Sequence, residues 1–204
     1  FATARFAKSW DFGLSIDGSY TYSNVKDVAA MTSSTSSSNY GNNIFVDPNF
    51  AAYGRSLYEF RHQWKFGFDF KREFFGDNET RFSLFGEYRS GRPYSVTMLD
   101  NSGGRGAVFG TVGNLGSMAL YVPNLNDTSK VDFDTPASEA NFNALVSALG
   151  LEKYRGRIVP KNSQRSPDFF KVDLHVSQEI PALVGNAKFK LFADVENVLN
   201  LIDS

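Results

Sequence analysis

From position 60 to 74 the chain alternates. Even positions hold Phe60, His62, Trp64, Phe66, Phe68, Phe70, Arg72 and Phe74, while odd positions hold Arg61, Gln63, Lys65, Gly67, Asp69, Lys71 and Glu73. Successive side chains of a strand point to opposite faces, so the pattern predicts a strand with one face in apolar and one in polar surroundings. It is long, because strands of globular proteins usually run about 5–6 residues. Weaker copies surround it. Leu14, Ile16, Gly18, Tyr20 and Tyr22 alternate with Ser15, Asp17, Ser19, Thr21 and Ser23. Phe82, Leu84, Gly86 and Tyr88 alternate with Arg81, Ser83, Glu87 and Arg89, with Phe85 interrupting the polar set. Phe170, Val172, Leu174, Val176 and Ile180 oppose Lys171, Asp173, His175, Ser177 and Glu179; Phe189, Leu191, Ala193, Val195 and Leu199 oppose Lys190, Asp194 and Glu196. Residues 2–8 read as a shorter first strand, giving six strands with almost no helix between them.

The connections are sorted by length. Residues 10–13, 76–79 and 181–187 are short and rich in Gly, Asp, Asn and Pro, whereas 27–59 and 99–167 are long and polar. Short and long strictly alternate, which in an up-and-down antiparallel sheet puts every short turn at one end and every long loop at the other. Transmembrane β-barrels sort their connections in this way, and a soluble sandwich has no reason to. The first long loop carries Thr32-Ser33-Ser34-Thr35-Ser36-Ser37-Ser38, a low-complexity run expected to be mobile. The second predicts a short helix over 136–149: Thr135 caps, Pro136 suits the first helical position, Phe142, Leu145, Val146 and Leu149 recur at helical spacing, and Gly150 ends it. A loop of that length with structure of its own is expected to act as a lid or binding element.

Composition narrows the classes. The 204 residues suffice for a single all-β domain. Aromatic residues make up 15% of the chain and the formal net charge is −1, which argues against a nucleic-acid binder working by bulk charge. There is no cysteine, so disulfides, thiolate metal sites and cysteine nucleophiles are excluded. No run of about 18 apolar residues occurs, which excludes a helical membrane protein and leaves a β-barrel open, because barrel strands alternate.

Chemistry-bearing candidates are few. Asp173, His175 and Ser177 share one face of one strand and invite a nucleophile, base and orienter reading. Residues two apart stand roughly 7 Å from each other along a strand, too far for two consecutive short hydrogen bonds, so a polar wall is the better reading. His62 among aromatics suits an interface more than a metal site. The run Gly103-Gly104-Arg105-Gly106, with Gly110 and Gly113, lacks the helix that a phosphate loop needs directly after it and reads as flexible loop. Lys153, Arg155, Arg157, Lys161 and Arg165 form a basic stretch. Arg105, Lys153, Arg155, Arg157, Arg165 and Arg89 are the candidates for contacting an anionic ligand or lipopolysaccharide phosphates, against the ordinary alternative of a solvated loop face. No catalytic, cofactor or metal residue is assigned.

Glu196-Asn197-Val198-Leu199-Asn200, preceded by Phe192-Ala193-Asp194-Val195, resembles the signature near the C-terminus of TonB-dependent receptors. Tyr58-Glu59-Phe60-Arg61-His62, Phe70-Lys71-Arg72-Glu73-Phe74-Phe75-Gly76-Asp77, Gly91-Arg92-Pro93-Tyr94 and Ser177-Gln178-Glu179-Ile180-Pro181 resemble the Oar-like branch of that family. The resemblance covers nearly the whole chain and only the C-terminal part of such a receptor. It implies an all-β, antiparallel up-and-down transmembrane barrel of about 22 strands in the bacterial outer membrane. Residues 1–204 would then supply about six strands, with plug and final strands lying outside. It also implies uptake of a scarce solute, with outer-membrane lipid, lipopolysaccharide, the receptor's own N-terminal plug and, through the plug, TonB-ExbB-ExbD as partners, and neither enzyme activity, cofactor nor nucleic acid. A soluble β-sandwich binding module and an outer-membrane barrel enzyme are the alternatives. On the barrel reading Trp64, Phe66, Phe68, Phe70, Leu84, Val172, Leu174 and Leu191 face lipid, while Lys65, Asp69, Glu87, Lys171, Asp173, Lys190 and Asp194 face the lumen.

Overall fold

A computed structural model describes residues 1–41, 43–47, 50–98, 118–182, 185 and 187–201. The glycine run beginning at Gly103, with Arg105, lies outside them. The chain divides into two compact units. One is Phe1–Asn24, Phe60–Arg92 and Pro167–Ser204; the other is Val25–Glu59 and Pro93–Ser166.

The first unit is a six-stranded sheet. Its strands are β1 (Ala2–Ser9), β2 (Leu14–Tyr22), β3 (His62–Phe75), β4 (Asn78–Arg89), β5 (Phe169–Pro181) and β6 (Lys188–Val195). Sequence order is spatial order, and every pairing is antiparallel. Both long connections therefore leave from the same end of the sheet. Register carries the alternation across the strands: Ile16 pairs with Phe68, Phe68 with Leu84, Leu84 with Leu174, and Leu174 with Val195. A slip of one residue anywhere would turn a strand's apolar set to the polar side, so the pattern itself fixes the pairing. Where glycine interrupts the apolar face, a neighbouring ring covers the gap. The Phe66 ring lies over Gly86, and a Cβ at Gly18 would come within 2.5 Å of the Phe6 ring.

The last strand ends sooner than its apolar positions predict. Leu199 belongs to a 3-10 turn (Val198–Leu201) rather than to β6, because Asn197 takes φ +54° and turns the chain out of the sheet. The Asn197 amide donates to Asp173 Oδ1 at 2.8 Å, and the Asn200 amide donates to the Asn197 carbonyl at 3.0 Å.

The second unit is what the two long connections become. Two-residue and three-residue strands join its parts: Lys26–Asp27 pairs with Gly54–Arg55, Pro93–Tyr94 with Gln164–Arg165, and Tyr121–Val122 with Arg157–Ile158. Helix α1 (Ser36–Gly41) occupies part of the serine run expected to be mobile. The Asn39 side chain closes this turn from both sides: the Ser33 amide donates to Asn39 Oδ1 at 2.8 Å, and Asn39 Nδ2 donates to the Ser33 carbonyl at 2.7 Å. Helix α2 (Pro136–Ala148) starts as predicted, with Thr135 Oγ1 accepting from the Ser138 amide at 3.1 Å. It closes with Gly150 at φ +61°, the Leu151 amide donating to the Val146 carbonyl at 2.8 Å and the Gly150 amide to the Ser147 carbonyl at 3.0 Å. That closure turns Leu151 back onto Val146, and both are buried with Leu120, Val122 and Val159. Phe142 and Leu149 pack against this core, whereas Leu145, in the same predicted apolar set, faces outward.

Candidate functional site

The sheet presents two chemically different walls. On one, Ile16, Phe66, Phe68, Phe70, Phe82, Leu84, Val172, Leu174, Val176, Leu191 and Ala193 line up through the register, and several large members stand well exposed. Aromatic groups bound this band at both ends. Toward the long connections, the Tyr20 ring lies 4.3 Å from that of Trp64, Tyr20 Oη and His62 Nδ1 are 2.8 Å apart, and Tyr22 stands beside His62. Toward the short turns, Trp10 sits under the Lys8 ammonium and beside Phe12, and Phe74 beside Phe70. Ten residue steps from Trp64 to Phe74 cover about 34 Å of strand, or about 26 Å along the membrane normal at a tilt of about 40°, close to the ~25 Å apolar band of an outer-membrane barrel. His62 thus falls in an aromatic girdle, as the interfacial reading expects.

The opposite wall is a ladder of charge. Asp69 Oδ2 accepts from Arg81 Nε and Ser83 Oγ, both at 2.6 Å. Lys171 Nζ lies 2.9 Å from Asp173 Oδ2, and Lys188 Nζ lies 3.0 Å from Glu179 Oε2. Asp173, His175 and Ser177 share this wall without forming a relay. Asp173 is taken by Lys171 and the Asn197 amide, while His175 Nδ1 meets Asp194 Oδ1 across the β5–β6 pair at 2.5 Å. The i, i+2 spacing along an extended strand keeps the three apart, and Asp173 and His175 each find a partner outside the set.

The predicted basic ligand contacts separate in the structure. Arg165 pairs with Glu59, a fully buried carboxylate that also holds Arg55 Nε at 3.3 Å and accepts from the Val25 amide at 2.8 Å. Arg155 donates to the Pro123 carbonyl at 3.0 Å and to Asn143 Oδ1 at 2.7 Å. Lys161 is buried, 2.7 Å from Asp27 Oδ1 and bonded to the Val28 and Ala52 carbonyls. These groups knit the second unit together. Lys153, set over the Tyr154 ring, and Arg157 are exposed on its surface. Arg89 belongs to the other unit, at the end of β4, with its guanidinium over the rings of both Phe60 and Phe169. Reasoning from sequence missed Glu59 and Asp27 as the anchors of this network. Nothing in an isolated carboxylate within a loop tells that it will be buried against cations more than 100 residues away.

Burial works against ionisation of Asp27, but hydrogen bonds from Lys161 and Ser56 and the Lys161 charge outweigh it, holding its carboxyl below the ordinary value. Among the described residues no group of three or more His, Cys, Asp or Glu side chains is placed to hold a metal.

Six long antiparallel strands with one girdled apolar wall, one charged wall and all short turns at one end define a segment of transmembrane β-barrel. The chain belongs to the outer membrane beta barrel domain family, whose model matches residues 2–203, and its place is the bacterial outer membrane. Comparison with curated proteins and with solved structures returns no match.

Proposed function

We propose that this chain forms barrel wall and surface capture elements of a TonB-dependent transporter resembling the Oar-like branch. The observation that carries the reading is the second unit. In their described residues, segments 25–59 and 93–166 are not separate polar loops; Glu59 with Arg165 and Asp27 with Lys161 bind one to the other, and the second segment carries a buried core. Preorganised surface elements of this kind suit recognition of a solute, because the entropy of ordering them is lost on folding rather than on binding. The charged wall suits a wet lumen into which a plug fits, and the apolar wall meets lipid and lipopolysaccharide. The plug would pass energy from TonB-ExbB-ExbD. The proposed role is transport rather than catalysis, consistent with Asp173 and His175 each being engaged by residues outside the Asp173, His175 and Ser177 set.

The test compares growth of cells with and without the full-length parent across a panel of limiting solutes, in the presence and absence of TonB. The expected result is a receptor-dependent advantage on at least one solute that vanishes without TonB. An advantage that persists at full rate without TonB would replace the transporter by a passive channel, and no advantage on any solute would remove the uptake role.

A further inference from the structure

Three cations of the charged wall pair with carboxylates: Arg81 with Asp69, Lys171 with Asp173, and Lys188 with Glu179. Arg89, on the same face of the same strand as Arg81, is different. Its guanidinium carbon lies 4.4 Å from the centroid of the Phe169 ring and 5.2 Å from that of Phe60. No carboxylate of the described residues pairs with it. Glu87, two residues down the same face, accepts from Gln63 Nε2 at 3.3 Å, and Asp168 accepts from the Gly91 amide at 2.9 Å and the Tyr88 hydroxyl at 2.5 Å. Phe60 also carries the Arg92 guanidinium, 5.4 Å from its centroid, so a second cation shares the ring.

Ring faces attract the flat of a guanidinium and fix its plane, but they take none of its N–H donors. A half-buried arginine held in plane by two rings, beside a second arginine, is prepared for a planar oxyanion that can accept two parallel hydrogen bonds. We propose that Arg89, clamped by Phe60 and Phe169, is an oxyanion-binding residue that receives a carboxylate or phosphate group of the transported solute at the rim of the charged wall. The occupant rests on the transport reading given above; the anion site itself rests on the geometry alone. Binding here makes no covalent bond and needs no metal. The fork of donors gives direction, and the two rings offer apolar surface to whatever body carries the anion.

The test uses the full-length parent in lipid nanodiscs, with inorganic phosphate and citrate as probes and maltose as a neutral control, read by titration calorimetry. The wild type should bind at least one of the two anions and not maltose. Arg89→Gln should weaken that binding at least tenfold. Arg89→Lys, which keeps the charge and loses the fork, should weaken it about threefold. Phe169→Leu, which keeps the guanidinium and frees its plane, should also weaken it severalfold, and it carries the test if Arg89→Gln fails to give a heat-modifiable folded barrel. Absence of binding of both anions to the wild type, or equal affinity in wild type and folded Arg89 variants, would overturn the proposal. Growth that proved independent of TonB would sink the transporter reading and leave this anion site standing, whereas unchanged binding in the Arg89 variants would do the reverse.

Discussion

At the scale of single residues, what holds the second unit is charge buried in small amounts and paired with opposite charge. Asp27 and Lys161 make this testable by pH. Because the Asp27 carboxyl is held below its ordinary value, its ionised form is the one the fold favours. The stability it contributes is present above the unfolded value, near pH ~3.9, and is lost as pH falls through the lower folded value. Asp27→Asn should therefore cost on the order of 1–3 kcal/mol at neutral pH, less than a fully buried pair because Asp27 keeps some contact with water. The difference between wild type and variant should begin to shrink as pH falls below ~4 and close as pH passes the lower folded value. Amide exchange along Lys26–Asp27 and Gly54–Arg55, followed from pH 7 to pH 3, reads it. A gap that stayed constant across that range would mean the pair adds nothing through its charge.

At the scale of elements, the six strands were legible in sequence because each is solvated on one side by lipid and on the other by water, so a period of two is written into every one. Helix α2 was legible for a local reason: Thr135, Pro136 and Gly150 are end signals that act within one turn. The end of β6 was not. Leu199 keeps the strand period, and only the left-handed Asn197 removes it from the sheet. Much of the second unit was illegible too, since its two-residue strands are shorter than any period and its core forms between segments far apart in the chain. Of the basic candidates, the sequence could mark Arg155 and Arg165 as cations but not reveal that their partners are internal, and Arg89 acquires its distinction only through the rings of Phe60 and Phe169. The strand reading carries its own prediction. Phe68 sits mid-face in β3, between Ile16 and Leu84. Phe68→Arg in the full-length barrel should cost about 2–4 kcal/mol, whereas a charge at Gly67, on the opposite face, should cost less. Urea unfolding in lipid vesicles would measure both, and equal costs would mean that the two faces do not differ in solvent.

At the scale of the whole molecule, the two walls and the sorted connections form one argument: a sheet this apolar on one side needs lipid, and a sheet this charged on the other needs water. Among the described residues the outer edges of β1 and β6 have no strand partner, which points the same way, because bare edges are untenable in hydrocarbon and a barrel pairs them. The absence of cysteine from the sequence permits a clean measurement of the central claim. Single cysteines at Phe68 and at Asp69, placed in the full-length parent in intact outer membranes, would be exposed to a water-soluble maleimide. The account predicts labelling at position 69 through the lumen and protection at position 68 by lipid, with the protection lost when the membrane is dissolved in denaturant. Labelling at 68 together with protection at 69 would reverse the two faces, and equal labelling at both would contradict a membrane wall altogether.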